Sequence, residues 1–184
     1  MSEAVSALKG ESHAGFATVT EAGLSGMVTL RADLSATATR IALAGQGLKL
    51  PGAREIVAGE KGRCTAWMSP DELLVMCSYD DAPAVAAGLA HSLHTEHALV
   101  TNVSDARARF TIAGAKADQV LMKLCPVDFA NLNPGEMRRT RAAQVAAAIW
   151  RSGPEELSLV CFRSVAAYVM GILEVSARPG GELS

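Results

Sequence analysis

Hydrophobic and polar positions change period several times along this chain, and each change marks an element. Met27–Leu30 alternates as a strand does. Leu34, Ala38, Ile41 and Leu43–Ala44 then recur at helical spacing. Ser35 is placed to cap that helix, and Gly45 and Gly47 are placed to stop it. A loop follows, with a short strand at Glu55–Val57. Arg63–Trp67 and Glu72–Cys77 read as strands joined by the turn "SPDE", where Pro70 supplies the fixed φ of the second turn position. Pro83–Leu93 reads as an Ala-rich helix that Asp80 or Asp81 can cap.

The same order then recurs. Ala98–Val103 is a strand, and Arg107–Ile112 alternates as "RARFTI" with Phe110 and Ile112 on one face. Gly114 leads into a helix striped by Ala117, Val120, Leu121 and Leu124, which "CPVDFANLNPG" breaks. Residues 139–150 contain a strand, "SGPE" is a turn and Glu156–Cys161 is a strand. Ser164–Val175 is a helix with Val165, Tyr168–Val169 and Ile172 along one face.

The echo extends to single residues. "WMSPDELLVMC" begins at Trp67 and "WRSGPEELSLVC" begins at Trp150. Pro70 matches Pro154, Glu72 matches Glu156, Leu73 matches Leu157 and Cys77 matches Cys161, each at an offset of 84. Trp67 matches Trp150 at 83, a one-residue difference that reads as Gly153 entering the second turn, and Thr29 matches Thr111 at 82. Coincidence between two apolar hairpins would explain the turns alone; the shared element order favours an internal duplication. The expected fold is therefore α+β: two duplicated ferredoxin-like βαββα-type halves, with a mainly antiparallel sheet and helices packed on it. Residues 1–25, rich in Gly, Ser and Ala, are expected to form an irregular N-terminal arm. Residues 26–176 then form one pseudo-duplicated domain with halves at about 26–97 and 98–176, and 177–184 is a tail.

Composition narrows the function. Aromatic residues are only 4% of the 184, so the core must be aliphatic. The net charge of −2 gives no overall basic field for nucleic acid or an acidic membrane. Cys64, Cys77, Cys125 and Cys161 show no CxxC spacing, which argues against a zinc or redox site. Residues 1–25 lack the basic start and apolar run of a signal peptide, and no apolar run approaches the roughly 20 residues that span a bilayer. A cytoplasmic protein with reduced thiols is expected.

Candidate chemistry is sparse. His91, His94 and His97 recur every three residues, so His91 and His94 share a helix face; a helix C-terminus also favours histidine without any metal. "SDAR", Ser104–Arg107, reads as a self-bonded turn. Gly45-Gln46-Gly47 ends a helix and lacks the third glycine of a nucleotide fingerprint. The acid pairs Asp71/Glu72 and Glu155/Glu156 are turn residues, and Trp67 and Trp150 are packing anchors. Arg138, Arg139 and Arg141, with Arg151 further on, form a local basic cluster. In a strand Arg139 and Arg141 share a face, suited to a solvated edge or to an acidic partner. Arg138, Arg139 and Arg141 are taken as candidate partner contacts; no residue is assigned to catalysis, cofactor or metal.

Taken together, "MVTLRADL", "WMSPDELLV", "VTNVSDARARFTIAGAKADQVLMKLCPVDF" and "FRSVAAYVMGILE" resemble the gamma subunit of heterotetrameric sarcosine oxidase, over about residues 5–176. The resemblance implies a fold like the folate-binding domain of aminomethyltransferases such as the glycine-cleavage T-protein. It implies alpha, beta and delta partner subunits in a complex that oxidatively demethylates sarcosine. The products are glycine, hydrogen peroxide and formaldehyde, or methylenetetrahydrofolate when tetrahydrofolate is a substrate. FAD, FMN, NAD and zinc are implied in the partner subunits, with no cofactor in this chain. A stand-alone folate-binding or aminomethyl-transfer protein is the alternative. The polar "ANLNPGEM" after "CPVDF" departs from the longer apolar segment of the family, as does Leu73, where an aromatic is more usual.

Overall fold

A computed structural model describes residues 3–183; residues 1, 2 and 184, the outer ends of the expected arm and tail, lie outside it. The first elements are β1 (Ser12–Ala14), β2 (Thr18–Glu21), β3 (Gly26–Arg31), α1 (Thr37–Gly45), β4 (Ile56–Ala58), β5 (Cys64–Ser69), β6 (Glu72–Cys77), α2 (Ala82–Ser92) and β7 (Leu99–Asn102). After a 3-10 turn at Ser104–Ala106 come β8 (Arg107–Ala113), α3 (Ala117–Met122), β9 (Met137–Ala142), β10 (Val145–Gly153), β11 (Glu156–Phe162) and α4 (Ala166–Ser176). The chain divides into two compact units. One is the continuous stretch Leu24–Ser104; the other joins the chain through Gly23 to everything from Asp105 onward.

Each unit is an antiparallel sheet covered by helices, so the α+β reading holds. The continuous unit has the strand order β4-β5-β6-β3-β7. The discontinuous unit reads β9-β10-β11-β8-β2-β1, the same order with one strand added. Register supports the equivalence: Thr29 of β3 faces Thr101 of β7, and Thr111 of β8 faces Thr20 of β2. The repeat therefore starts at β2 on one side and at β7 on the other. Each repeat contributes its first strand to the other repeat's sheet.

This differs from the expected arm and halves. The 1–25 segment carries two strands, and β7 sits with residues 26–97 instead of with 98–176. "TVTE" is four residues long with no lasting period, yet it buries Val19 completely. The arm is also tied down. Ser6 Oγ and the Gly10 amide both donate to Glu21 Oε2 at 2.8 Å, and Arg163 Nη2 donates to the carbonyl of Val5 at 2.8 Å.

The helices form where apolar spacing turns one face to the sheet. α1 and α2 press Leu43, Val85 and Leu89 onto Val28, Leu30, Leu73 and Val75. α3 and α4 press Val120, Leu121, Val169 and Leu173 onto Phe110, Ile112, Ile149, Leu157 and Leu159. The expected face of α4 was rotated: Ala166, Val169, Met170 and Leu173 are buried, while Tyr168 is 45% exposed. A helix apolar almost all round gives no clear stripe to read. Ala36 stands at the N-cap of α1 and no side chain caps it, because Ser35 is turned back to Asp33, donating from N at 2.8 Å and from Oγ at 2.6 Å. Its end is as expected. Gly47, at φ +67°, closes a Schellman motif through Leu48 N–H to Leu43 O and Gly47 N–H to Ala44 O.

Two sequence expectations about the hairpins change. Trp67 faces Leu73 and Arg151 faces Leu157, with a bulge just after each. The counterpart of Trp67 is therefore Arg151, at the same offset of 84 as the prolines; Trp150 corresponds to Ala66. The turns are equally long, and Gly153 is no insertion. Residues 139–150 form two strands, since Ala143 takes φ +49° and turns the chain between β9 and β10.

Candidate functional site

β9 is the outer strand of the six-stranded sheet and pairs with β10 alone. Strand alternation divides its three arginines between the two faces. Arg138 lies across from Ile149 on the helix-covered face, where Nη2 meets Glu136 Oε2 at 3.0 Å. Arg139 and Arg141 lie across from Ala148 and Ala146 on the other face, and both are exposed. Arg141 Nη2 donates to Gln144 Oε1 at 3.0 Å. The sequence cluster is thus a basic pair on one face with a separately paired arginine behind it.

Arg151 does different work. It projects from β10 toward α3, where Nη1 and Nη2 donate to the two carboxylate oxygens of Asp118 at 2.8 and 2.6 Å. Nε donates to Leu132 O at 2.7 Å and Nη2 also reaches Phe129 O at 3.1 Å. The hydrogen bonds to Asp118 hold the guanidinium pKa above its ordinary value. One side chain therefore ties a helix and the 3-10 turn Phe129–Asn131 to the sheet. Asp128 caps that turn, accepting from Ala130 N at 3.1 Å and Asn131 Nδ2 at 2.6 Å, and its carboxyl is held below the usual range by the Asn131 bond. The Asp118–Arg151 pair was missed from sequence. The signal was available: the constant offset of 84 puts an arginine where the first hairpin has a packed tryptophan.

The remaining candidates serve the fold. Ser104 Oγ accepts the Met27 amide at 2.9 Å and donates to Asn102 Oδ1 at 2.6 Å, so the serine of "SDAR" ties its turn to β3 and β7 instead of bonding within the turn. Arg31 Nη2 donates to Glu72 Oε2 at 2.9 Å, and Ser152 Oγ donates to Glu156 Oε1 at 2.7 Å. His91 and His94 stack with centroids 5.9 Å apart, and His94 Nδ1 lies 2.8 Å from the His91 carbonyl oxygen. Among the described residues no group of three or more His, Cys, Asp and Glu side chains gathers where it could hold a metal. Burial pushes the Cys125 thiol up to about 12 and the Cys161 thiol to about 11. Such thiols are protonated at neutral pH, and a protonated thiol is a poor nucleophile. Among the described residues no helix is long and apolar enough to cross a membrane.

Two helix-covered antiparallel sheets with exchanged leading strands define the class. The fold is similar to the glycine cleavage system aminomethyltransferase T from Bartonella henselae, with a TM-score of 0.65 at 13% identity over 84% of this chain and 44% of that one. It is more similar to a chain of the heterotetrameric sarcosine oxidase from Corynebacterium sp. U-96, with a TM-score of 0.82 at 24% identity over 90% of this chain and 87% of that one. No sequence among the curated proteins matches the chain. Residues 31–178 match the sarcosine oxidase gamma subunit family, and the chain belongs to that family.

Proposed function

We propose that this chain is the non-catalytic gamma subunit of a cytoplasmic heterotetrameric sarcosine oxidase. The complex would convert sarcosine to glycine and hydrogen peroxide, releasing formaldehyde or forming methylenetetrahydrofolate from tetrahydrofolate. FAD, FMN, NAD and zinc would reside in the alpha, beta and delta partners. The observation that carries this reading is the family match across residues 31–178. The use of the polar residues supports it: Ser104, Arg151, Asp118 and Glu72 are all engaged in internal ties.

The test is co-expression with the flavoprotein subunits. The tagged chain is expected to recover a flavin-containing, sarcosine-oxidising complex, and alone to be colourless and inactive. An isolated chain that binds flavin and oxidises sarcosine overturns the reading. Similarity to an aminomethyltransferase supports the second reading, a stand-alone folate-binding or aminomethyl-transfer protein. Saturable sub-millimolar binding of tetrahydrofolate to the isolated chain would favour it.

A further inference from the structure

The last helices of the two repeats differ in what they turn outward. The offset of 84 that relates the hairpins runs on into the helices, so α2 (Ala82–Ser92) and α4 (Ala166–Ser176) are equivalent. Outward positions of α2 hold Ala84, Ala87, Gly88 and His91; the same positions of α4 hold Tyr168, Gly171, Ile172 and Val175. These four lie at the i, i+3, i+4, i+7 spacing of one helix face. Tyr168 is 45% exposed and Val175 56%. On α2 the Gln46 side chain, just past α1, fills the space that a Cβ on Gly88 would take. On α4 a Cβ on Gly171 would meet nothing within 4 Å among the described residues. α3 has six residues against nine in α1, and a groove of 440 Å³ lies open between it and α4, lined by Leu124, Ile172 and Val175 and bordered by Lys123.

We propose that this face of α4, with the groove beside it, receives an amphipathic helix of a partner chain that presents a stripe of aliphatic side chains. This rests on the reading of the chain as one subunit of an assembly. A helix apolar on every side is normally covered on every side, and a contiguous apolar patch marks a docking surface. The charges around the face select the occupant. Glu174 is the one charged residue of α4, and it already lies 3.9 Å from His13 Nδ1 and 4.0 Å from Arg178 Nη2. Lys123 Nζ already donates to the carbonyl oxygens of Ser176 and Gly181. Neither is left over for a charged segment, so apolar contact decides. The main chain of α4 is bonded within the helix and offers no edge to an added strand; the occupant brings its own bonded backbone, as a helix does. Gly171 lets that backbone approach closely. A second copy of α4 fits worse. A two-fold axis at Gly171 would set Glu174 against Tyr168 of the other copy and take a carboxylate out of water.

Co-expression of the full chain with the flavoprotein subunits tests the proposal. Tyr168→Glu with Val175→Glu is expected to weaken assembly about 100-fold. Ala84→Glu with His91→Glu, the same positions on α2, should change it by less than about twofold. Gly171→Gln, which adds a side chain where the chain itself has nothing, should weaken assembly about tenfold and decides the matter if the double variant does not fold. A capped helical peptide with leucines at i, i+3, i+4 and i+7, added to the isolated full chain, should shift the methyl resonances of Ile172 and Val175; a peptide with the same leucines scrambled should not. An assembly indifferent to the α4 variants overturns the docking face and leaves the subunit reading standing. A chain that ignores the flavoprotein subunits but takes the striped peptide overturns the subunit reading and keeps the face. Self-association of the isolated chain that Tyr168→Glu abolishes gives the face to a second copy and overturns the proposal. Equal shifts from the two peptides, or none from either, overturn the face in any case.

Discussion

The hairpins β5–β6 and β10–β11 have the same turn length, the same bulge and the same register beside it, yet their equivalent inward positions hold Trp67 and Arg151. Trp67 packs against the apolar core of its unit. Arg151 spans the corresponding space to reach Asp118 and two loop carbonyls. The frame is constant and the tie across it has changed from dispersion to charge. A duplicated fold keeps what sets the hairpin geometry, the proline turn and the acid after it. It is free to alter what leans on the hairpin.

Leu73 and Leu157 test whether the two frames carry equal loads. Both are fully buried and face the bulge position. Replacing either by Ala should cost about 2–5 kcal/mol in chemical denaturation. Costs that differ by more than about 2 kcal/mol would show that the cavities collapse differently in the two units. Arg151→Met comes next. It removes the ion pair and two carbonyl contacts, and since Asp118 is 36% exposed the expected loss is about 1–3 kcal/mol. Trp67→Met should disturb its unit by burial alone, with no dependence on salt, whereas the Arg151 effect should shrink as salt rises.

A pH-dependent effect concerns the equivalent thiols Cys77 and Cys161, together with Cys125. Burial raises both; Arg63 opposes the rise at Cys77 and Arg107 opposes it at Cys161, which still reaches about 11. The folded state favours the neutral thiol. Its contribution is complete below the ordinary value of 9.0 and is lost as pH climbs toward 11 for Cys161 and 12 for Cys125. Stability should fall by up to about 1.4 kcal/mol per pH unit for each thiol in that window. Denaturation at pH 8 and pH 10.5 should show a steeper loss in the wild type than in Cys125→Ala with Cys161→Ala. An identical slope in both would remove the thiols from the account.

Where periodicity was strong the sequence was readable. Phe110 and Ile112 alternate cleanly and lie on the buried face of β8, and the two proline turns stand where they were expected. The failures have local causes. β9 and β10 merged because Ala143–Gln144 lacks the Gly or Asn that usually marks a two-residue turn, although Ala143 takes a positive φ. β2 was lost in a Gly- and Ser-rich arm because pairing with β8 comes from far along the chain. The two tryptophans were matched by identity, but register matches Trp67 with Arg151. The β9 arginines were legible as a cluster; their division between two faces needed the register with β10.

The exchange of leading strands sets an order of events during synthesis. Residues Leu24–Ser104 form one uninterrupted unit, which can close as soon as it leaves the ribosome. The other unit has its β2 made first and β8 made last of that pair, with Glu21 waiting for Phe110. At about 5–20 residues per second that wait is roughly 5–20 s, during which Val19 has no sheet to join. The nascent chain therefore carries an unpaired strand through the whole making of its first folded unit. The arm contacts to Glu21, which are local in sequence, are the interactions available to hold that strand in the meantime.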